Sequence, residues 1–113
     1  MLRAAAAFLL LSLAAAPALA AADGQQVFNA QCKMCHGGSG IGPSLAGVVG
    51  SKVGEGAFAF SSALKAKGGV WTEARIDTFL KSPSAFAPGT KMPISVANPE
   101  ARKAVVGYLK TLK

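Results

Sequence analysis

Few residues in this chain can build a metal centre or an acid–base site. Among 113 residues there is one histidine, His36, and there are two cysteines, Cys32 and Cys35. A structural zinc site takes four protein ligands; the cysteines and the histidine supply three, with no clear fourth. A thiol-disulfide redox pair usually follows a strand in a βαβ setting, and no segment here reads as a confident strand. Long hydrophobic runs are also missing. The longest, Ala4 to Ala16 (AAAAFLLLSLAAA), falls well short of the roughly 20 residues a helix needs to cross a bilayer. Acidic residues are scarce: Asp23, Glu55, Glu73, Asp77 and Glu100 stand against twelve Lys and Arg, for a formal charge of +7. There is no internal repeat and no second domain boundary.

What is present at the N-terminus is a leader. Arg3 supplies a positive start, residues 4–16 an apolar stretch, Pro17 a break, and Ala18-Leu19-Ala20 the small-x-small pattern that a signal peptidase accepts. The expected organisation is a cleaved signal peptide over 1–20 and one domain over 21–113. A cut after Ala22 is the second choice. The mature protein is then exported, to the periplasm or an equivalent compartment, and loses one positive charge with Arg3. A domain this small has a marginal core, and a bound, largely apolar cofactor would supply the missing volume.

The rest of the chain reads as all-α. A helix is expected from Asp23 to about Met34, with Phe28, Cys32 and Cys35 at i, i+4 and i+7 on one face. The glycine-rich run Gly37 to Pro43 breaks it. Ser61 to Lys67 is a short helix stopped by Gly68-Gly69. Thr72 caps a helix carrying Ile76, Phe79 and Leu80 on one face and ending at Pro83. Ser82 to Ala97 has three prolines and no period, so a long loop is expected there, and such loops are often functional. Asn98-Pro99-Glu100 then starts a C-terminal helix with Ala101, Ala104, Val105, Tyr108, Leu109 and Leu112 along one stripe.

One motif carries chemistry. Cys32-Lys33-Met34-Cys35-His36 is C-x-x-C-H, which in an exported protein is an attachment site for haem c. Two thiols three positions apart can each add to one vinyl group of the porphyrin, and the histidine that follows sits beneath the ring with a nitrogen toward the iron. A plain structural disulfide would explain the thiols and leave His36 unexplained. The second axial ligand follows by elimination. A second histidine does not exist, Met1 leaves with the leader, and Met34 lies between the attachment cysteines. Met92, in the proline-rich loop, remains, with Lys and Tyr as chemically possible rivals. A His36/Met92 pair raises the reduction potential and leaves no open position, so outer-sphere electron transfer is the expected function. A labile distal position would instead make a haem enzyme or a gas sensor.

With these residues in view the chain resembles a class I c-type cytochrome, the family of mitochondrial cytochrome c and its soluble bacterial relatives. Gly24, Phe28 and Tyr108 match the positions where the family's first and last helices cross. Gly42-Pro43-Ser44-Leu45 matches G-P-x-L, in which the proline carbonyl holds the proximal histidine. Lys67 to Trp71 resembles the segment ending in a tryptophan at a haem propionate. Pro88-Gly89-Thr90-Lys91-Met92 matches the methionine-ligand loop, which makes Met92 the distal ligand by implication.

The chain also departs from the mitochondrial pattern. Ser51 stands in place of an Arg near the propionates, Phe60 in place of a Tyr, Leu64 in place of an Asn and Phe79 in place of a Tyr near the methionine. Gln31 and Ser84 occupy positions often held by docking lysines. The resemblance implies a soluble monomeric carrier that meets redox partner proteins. The basic charge, with Lys33 and Lys91 beside the two motifs, makes acidic docking surfaces the expected partners. Nucleic acid is an unsuitable partner for an exported chain with scattered basic residues.

Overall fold

The computed structural model describes residues 16–113. Arg3 and residues 4–15 of the expected leader lie outside the described residues. Six helices follow one another: α1 (Ala16–Gln31), α2 (Lys33–His36), α3 (Ser62–Lys67), α4 (Glu73–Lys81), α5 (Pro83–Phe86) and α6 (Pro99–Leu109). Among the described residues there is no strand, only an isolated antiparallel bridge between Lys52 and Val70. The all-α expectation holds.

Most helix starts are set by side chains that accept from otherwise unpaired backbone N–H groups. Ser61 accepts from Leu64 N, Thr72 from Arg75 N, and Asn98 from both Glu100 N and Ala101 N. Ser82 does the same for Ala85 N, and here the structure differs from the sequence-based expectation. Pro83 ends α4, as its ring requires, but it is also the first residue of α5. A proline that stops one helix is pre-shaped to begin the next. The stretch from Ser82 to Ala97 is therefore a helical turn followed by an irregular segment, which shortens the loop carrying Met92.

The first expected helix is likewise divided. It kinks at Cys32, whose φ of −115° and ψ of −36° separate α1 from α2. The expected face survives the kink: Phe28 packs against the core that holds Cys32, and Cys32 N still donates to Phe28 O at 2.8 Å. Phe28 turns to Tyr108 on α6, ring centroids 5.3 Å apart and tilted by 54°, while Cys32 is buried in the core.

The core joins α4 and α6 through Ile76, Leu80, Val105, Val106 and Leu109. Trp71 stacks on Phe86 at 5.5 Å and tilts against Phe79 at 5.1 Å. Trp71 is fixed by its backbone, which donates to Ser51 O at 2.7 Å and accepts from Gly50 N at 2.8 Å. On α6 the buried set is wider than the expected stripe. It includes Val106 and Arg102, and Leu112 falls beyond the helix end.

α1 and α6 cross at Gly24. A Cβ added there would run into the Ala104 carbonyl and the Tyr108 Cβ, so only glycine allows this approach. Gly24→Ala is expected to destabilise the folded protein by about 1–3 kcal/mol, the usual cost of overpacking a fitted contact. That corresponds to a fall of roughly 4–8 °C in Tm for each kcal/mol. Thermal denaturation of the cofactor-loaded protein followed by circular dichroism checks it, and an unchanged Tm would contradict the crossing.

Candidate cofactor site

One cavity of about 310 Å³ opens between the helices, within the size range of small-molecule and cofactor sites. The structure brings all four sequence-predicted residues to it: Cys32, Cys35, His36 and Met92. Its walls are apolar, with Leu45, Val48, Leu64, Leu80, Val105 and Leu109 among them.

His36 is oriented by its neighbours. Its Nδ1 lies 2.8 Å from Pro43 O. A carbonyl can only accept, so Nδ1 carries the proton and Nε2 is left as the lone-pair nitrogen. Gly42, just before that proline, leaves the ring room: a Cβ there would stand 2.9 Å from the His36 Cε1 and 3.0 Å from its Nδ1. The same glycine donates its N–H to Cys35 O at 2.8 Å. Ser39 Oγ adds a bond to Met34 O at 2.9 Å, which ties the short glycine-rich loop back to α2.

The two thiols differ. Cys32 is buried, and burial pushes its pKa up, with Cys35 nearby adding to the effect. Of the two methionines within the described residues, Met34 is 82 % exposed and Met92 is half-buried on the cavity wall. Tyr108 is occupied with Phe28. Lys91 lines the rim, but its Nζ donates to Ala59 O at 3.0 Å, and Lys52 pairs with Glu55 at 3.9 Å on the surface.

Ser51, Phe60, Leu64 and Phe79, the four departures from the mitochondrial pattern, all line the cavity. Three of the four are apolar, and Ser51 spends its hydroxyl on Val48 O at 2.6 Å. Sequence reasoning missed the role of Thr90. Its Oγ1 is buried at the cavity without a hydrogen-bond partner, although it sits two residues from Met92. A buried polar atom with no partner costs stability, so this hydroxyl fits a group that brings its own polar atoms. Apolar walls, two thiols, an imidazole and a thioether together suit an iron porphyrin. Among the described residues, no three His, Cys, Asp or Glu side chains gather as a metal-binding cluster.

Comparisons with known proteins agree with this geometry. The family model described as cytochrome c matches residues 21–113. Cytochrome c2 of Rhodomicrobium vannielii is 43% identical over 106 residues, covering 85% of this chain and 84% of its own. Cytochrome c2 iso-1 of Magnetospirillum fulvum is 44% identical, covering 81% of this chain and 100% of its own. Among solved structures, cytochrome cH from Methylobacterium extorquens superposes with a TM-score of 0.76 at 44% identity, over 80% of this chain and 97% of that one. The chain belongs to the cytochrome c family, as a class I c-type cytochrome. It is an electron carrier and not an enzyme.

The fit between Gly42 and the His36 ring gives a direct test. Gly42→Ala is expected to push the imidazole off Pro43 and destabilise the protein by about 1–3 kcal/mol. The check is the His36 Nδ1–H proton in the NMR spectrum, which should exchange faster with solvent in the variant.

Proposed function

We propose that this protein is an exported, monomeric, monohaem electron carrier. In this reading Cys32 and Cys35 would hold haem c by thioether bonds, and His36 and Met92 would ligate its iron. One observation carries it: His36 commits Nδ1 to Pro43, which frees Nε2 on a cavity wall shared with both thiols and with Met92. Haem c, when bound, supplies an iron that gains or loses one electron, and His/Met ligation sets a high potential. The chain's own residues exclude water with apolar walls, fix the imidazole tautomer through Pro43, and offer Thr90 Oγ1 to a polar edge.

Export to the periplasm is supported by the leader pattern over 1–20 and by a family match that begins at residue 21. No described helix is long and apolar enough to cross a membrane. The mature protein should have the mass of the chain from Ala21 plus one haem after denaturation. Colour that extracts into acid acetone would rule out the thioether bonds. Met92→Ala should lower the reduction potential and abolish the weak long-wavelength band of Met-ligated ferric haem. An unchanged spectrum and potential would assign the ligand elsewhere.

Redox partners with acidic docking surfaces are supported by the charge of the cavity rim. Lys33 is exposed beside Cys32, and Lys52 and Lys91 line the opening, against the single acid Glu55. Opposite charge speeds encounter, and salt screens it over a Debye length of roughly 8–10 Å. Oxidation by anionic hexacyanoferrate should therefore slow as ionic strength rises, and oxidation by a cationic cobalt complex should quicken. Lys33→Glu should reduce the first effect, with each contact worth only about 0–1 kcal/mol. Lys33 is the cleaner probe, because Lys91→Glu would also remove the bond to Ala59. Rates that ignore ionic strength would place the basic surface away from the site of electron transfer.

A further inference from the structure

The segment that carries Met92 has apolar contact with the core through Met92 but almost no hydrogen bonds of its own. Met92, Pro93, Ile94 and Ser95 make no hydrogen bond to the rest of the described chain. Their polar anchors lie at either end. On the entry side, Thr90 N donates to Ala87 O at 2.9 Å, and Lys91 Nζ reaches Ala59 O at 3.0 Å. That lysine contact is exposed.

The exit side is built differently. Val96 is 3% exposed, and its N–H donates to Leu80 O on α4 at 2.8 Å. Its carbonyl and that of Ala97 both accept from Nη1 of Arg102, each at 2.9 Å. Arg102 lies on α6 and its side chain is 8% exposed; its Nε donates to Asp77 Oδ1 on α4 at 2.9 Å. One guanidinium thus joins α4, α6 and the end of the Met92 segment. A cation this buried is costly unless paired, and charge-assisted bonds are roughly twice as strong as neutral ones. Neither the position nor the charge of Arg102 makes it a cavity residue; it does not line the site.

We infer that Arg102 is a positioning residue for Met92. By holding carbonyls 96 and 97, it sets how readily the Met92 thioether would give way as an iron ligand. This rests on the assignment of Met92 as distal ligand. The fork geometry is what matters: a lysine keeps the charge but gathers its donors at one point, whereas the guanidinium directs Nε to Asp77 and Nη1 to the two carbonyls. Asp77 is half-exposed and acts through Arg102 by fixing its Nε side.

The test uses the oxidised, haem-loaded protein and imidazole as the entering ligand. At saturating imidazole the observed rate levels off at the rate at which the protein ligand leaves. Arg102→Lys should raise that plateau about tenfold, the equivalent of one charge-assisted hydrogen bond. Phe28→Leu, at the distant α1–α6 contact, serves as the control. Compared at equal denaturant stability, it should leave the plateau within about twofold of the wild type. A plateau unchanged by Arg102→Lys, or raised equally by Phe28→Leu, overturns the inference. If Arg102→Lys gives no haem-loaded protein, Asp77→Asn takes its place. It should raise the plateau roughly threefold, since it weakens one of the bonds, and an unchanged plateau there overturns the inference too. Met92→Ala separates the two levels: imidazole binding no faster than in the wild type would remove Met92 as the ligand, and the role of Arg102 with it. Rapid binding by Met92→Ala beside an unmoved Arg102→Lys would leave the ligand assignment standing and overturn the positioning role alone.

Discussion

The close approach of α1 to α6 at Gly24 is the constraint from which the remaining geometry follows. It lets Phe28 reach Tyr108 and fixes where α1 ends. The chain then kinks at Cys32, which turns the C-x-x-C-H segment toward the cavity. α6 supplies the opposite wall through Val105 and Leu109. The same helix places Arg102 where it meets both α4 and the segment that carries Met92. A single small residue thus links the thiols and histidine on one side to the methionine on the other. This is an economical arrangement for a domain whose own core is marginal, because the two helices become walls of a site that an apolar cofactor can complete.

What the sequence made legible was whatever depends on local pattern. The C-x-x-C-H run, the caps at Thr72 and Asn98, and the G-P-x-L segment each act within a few residues, so their geometry is written in their spacing. The all-α class follows from helical periods separated by glycine and proline. The misreadings concern element boundaries, where one residue pair serves two roles or the backbone bends between two helices. Ser82 and Pro83 look like the end of a helix and the start of a loop, yet the same pair also begins α5, because a capping serine and a proline serve either role. The Phe28–Cys32–Cys35 spacing was a correct helical reading, and what no period reveals is the break between α1 and α2 at Cys32.

Arg102 and Thr90 show the limit more sharply. An arginine off the apolar stripe of a helix reads as solvent-facing, since guanidinium groups are seldom buried. Its burial depends on Asp77 and on two carbonyls of a loop, partners that come together only after α4 and α6 pack. Thr90 reads as one polar loop residue among several. Only the fold shows that its hydroxyl is buried at the cavity and lacks a partner. Both residues draw their significance from what surrounds them, and neither carries a local signature.

The charge distribution connects the fold to encounter with partners. Three of the five acids pair with bases: Glu55 with Lys52, Glu73 with Lys110 and Asp77 with Arg102. The other two, Asp23 and Glu100, face a shallow groove between α1 and α6, where Lys103 also lies. Only Glu55 among the acids reaches the cavity opening. The basic surplus is therefore little offset around the opening, while the acids that remain sit between the crossing helices. A basic excess at the opening attracts an anionic partner to that face and speeds the encounter there. Because the exposed pairs contribute little to stability, such an arrangement of acids costs the fold almost nothing. Charge could thus be distributed for approach to a partner while the apolar contacts of α1, α4 and α6 hold the structure.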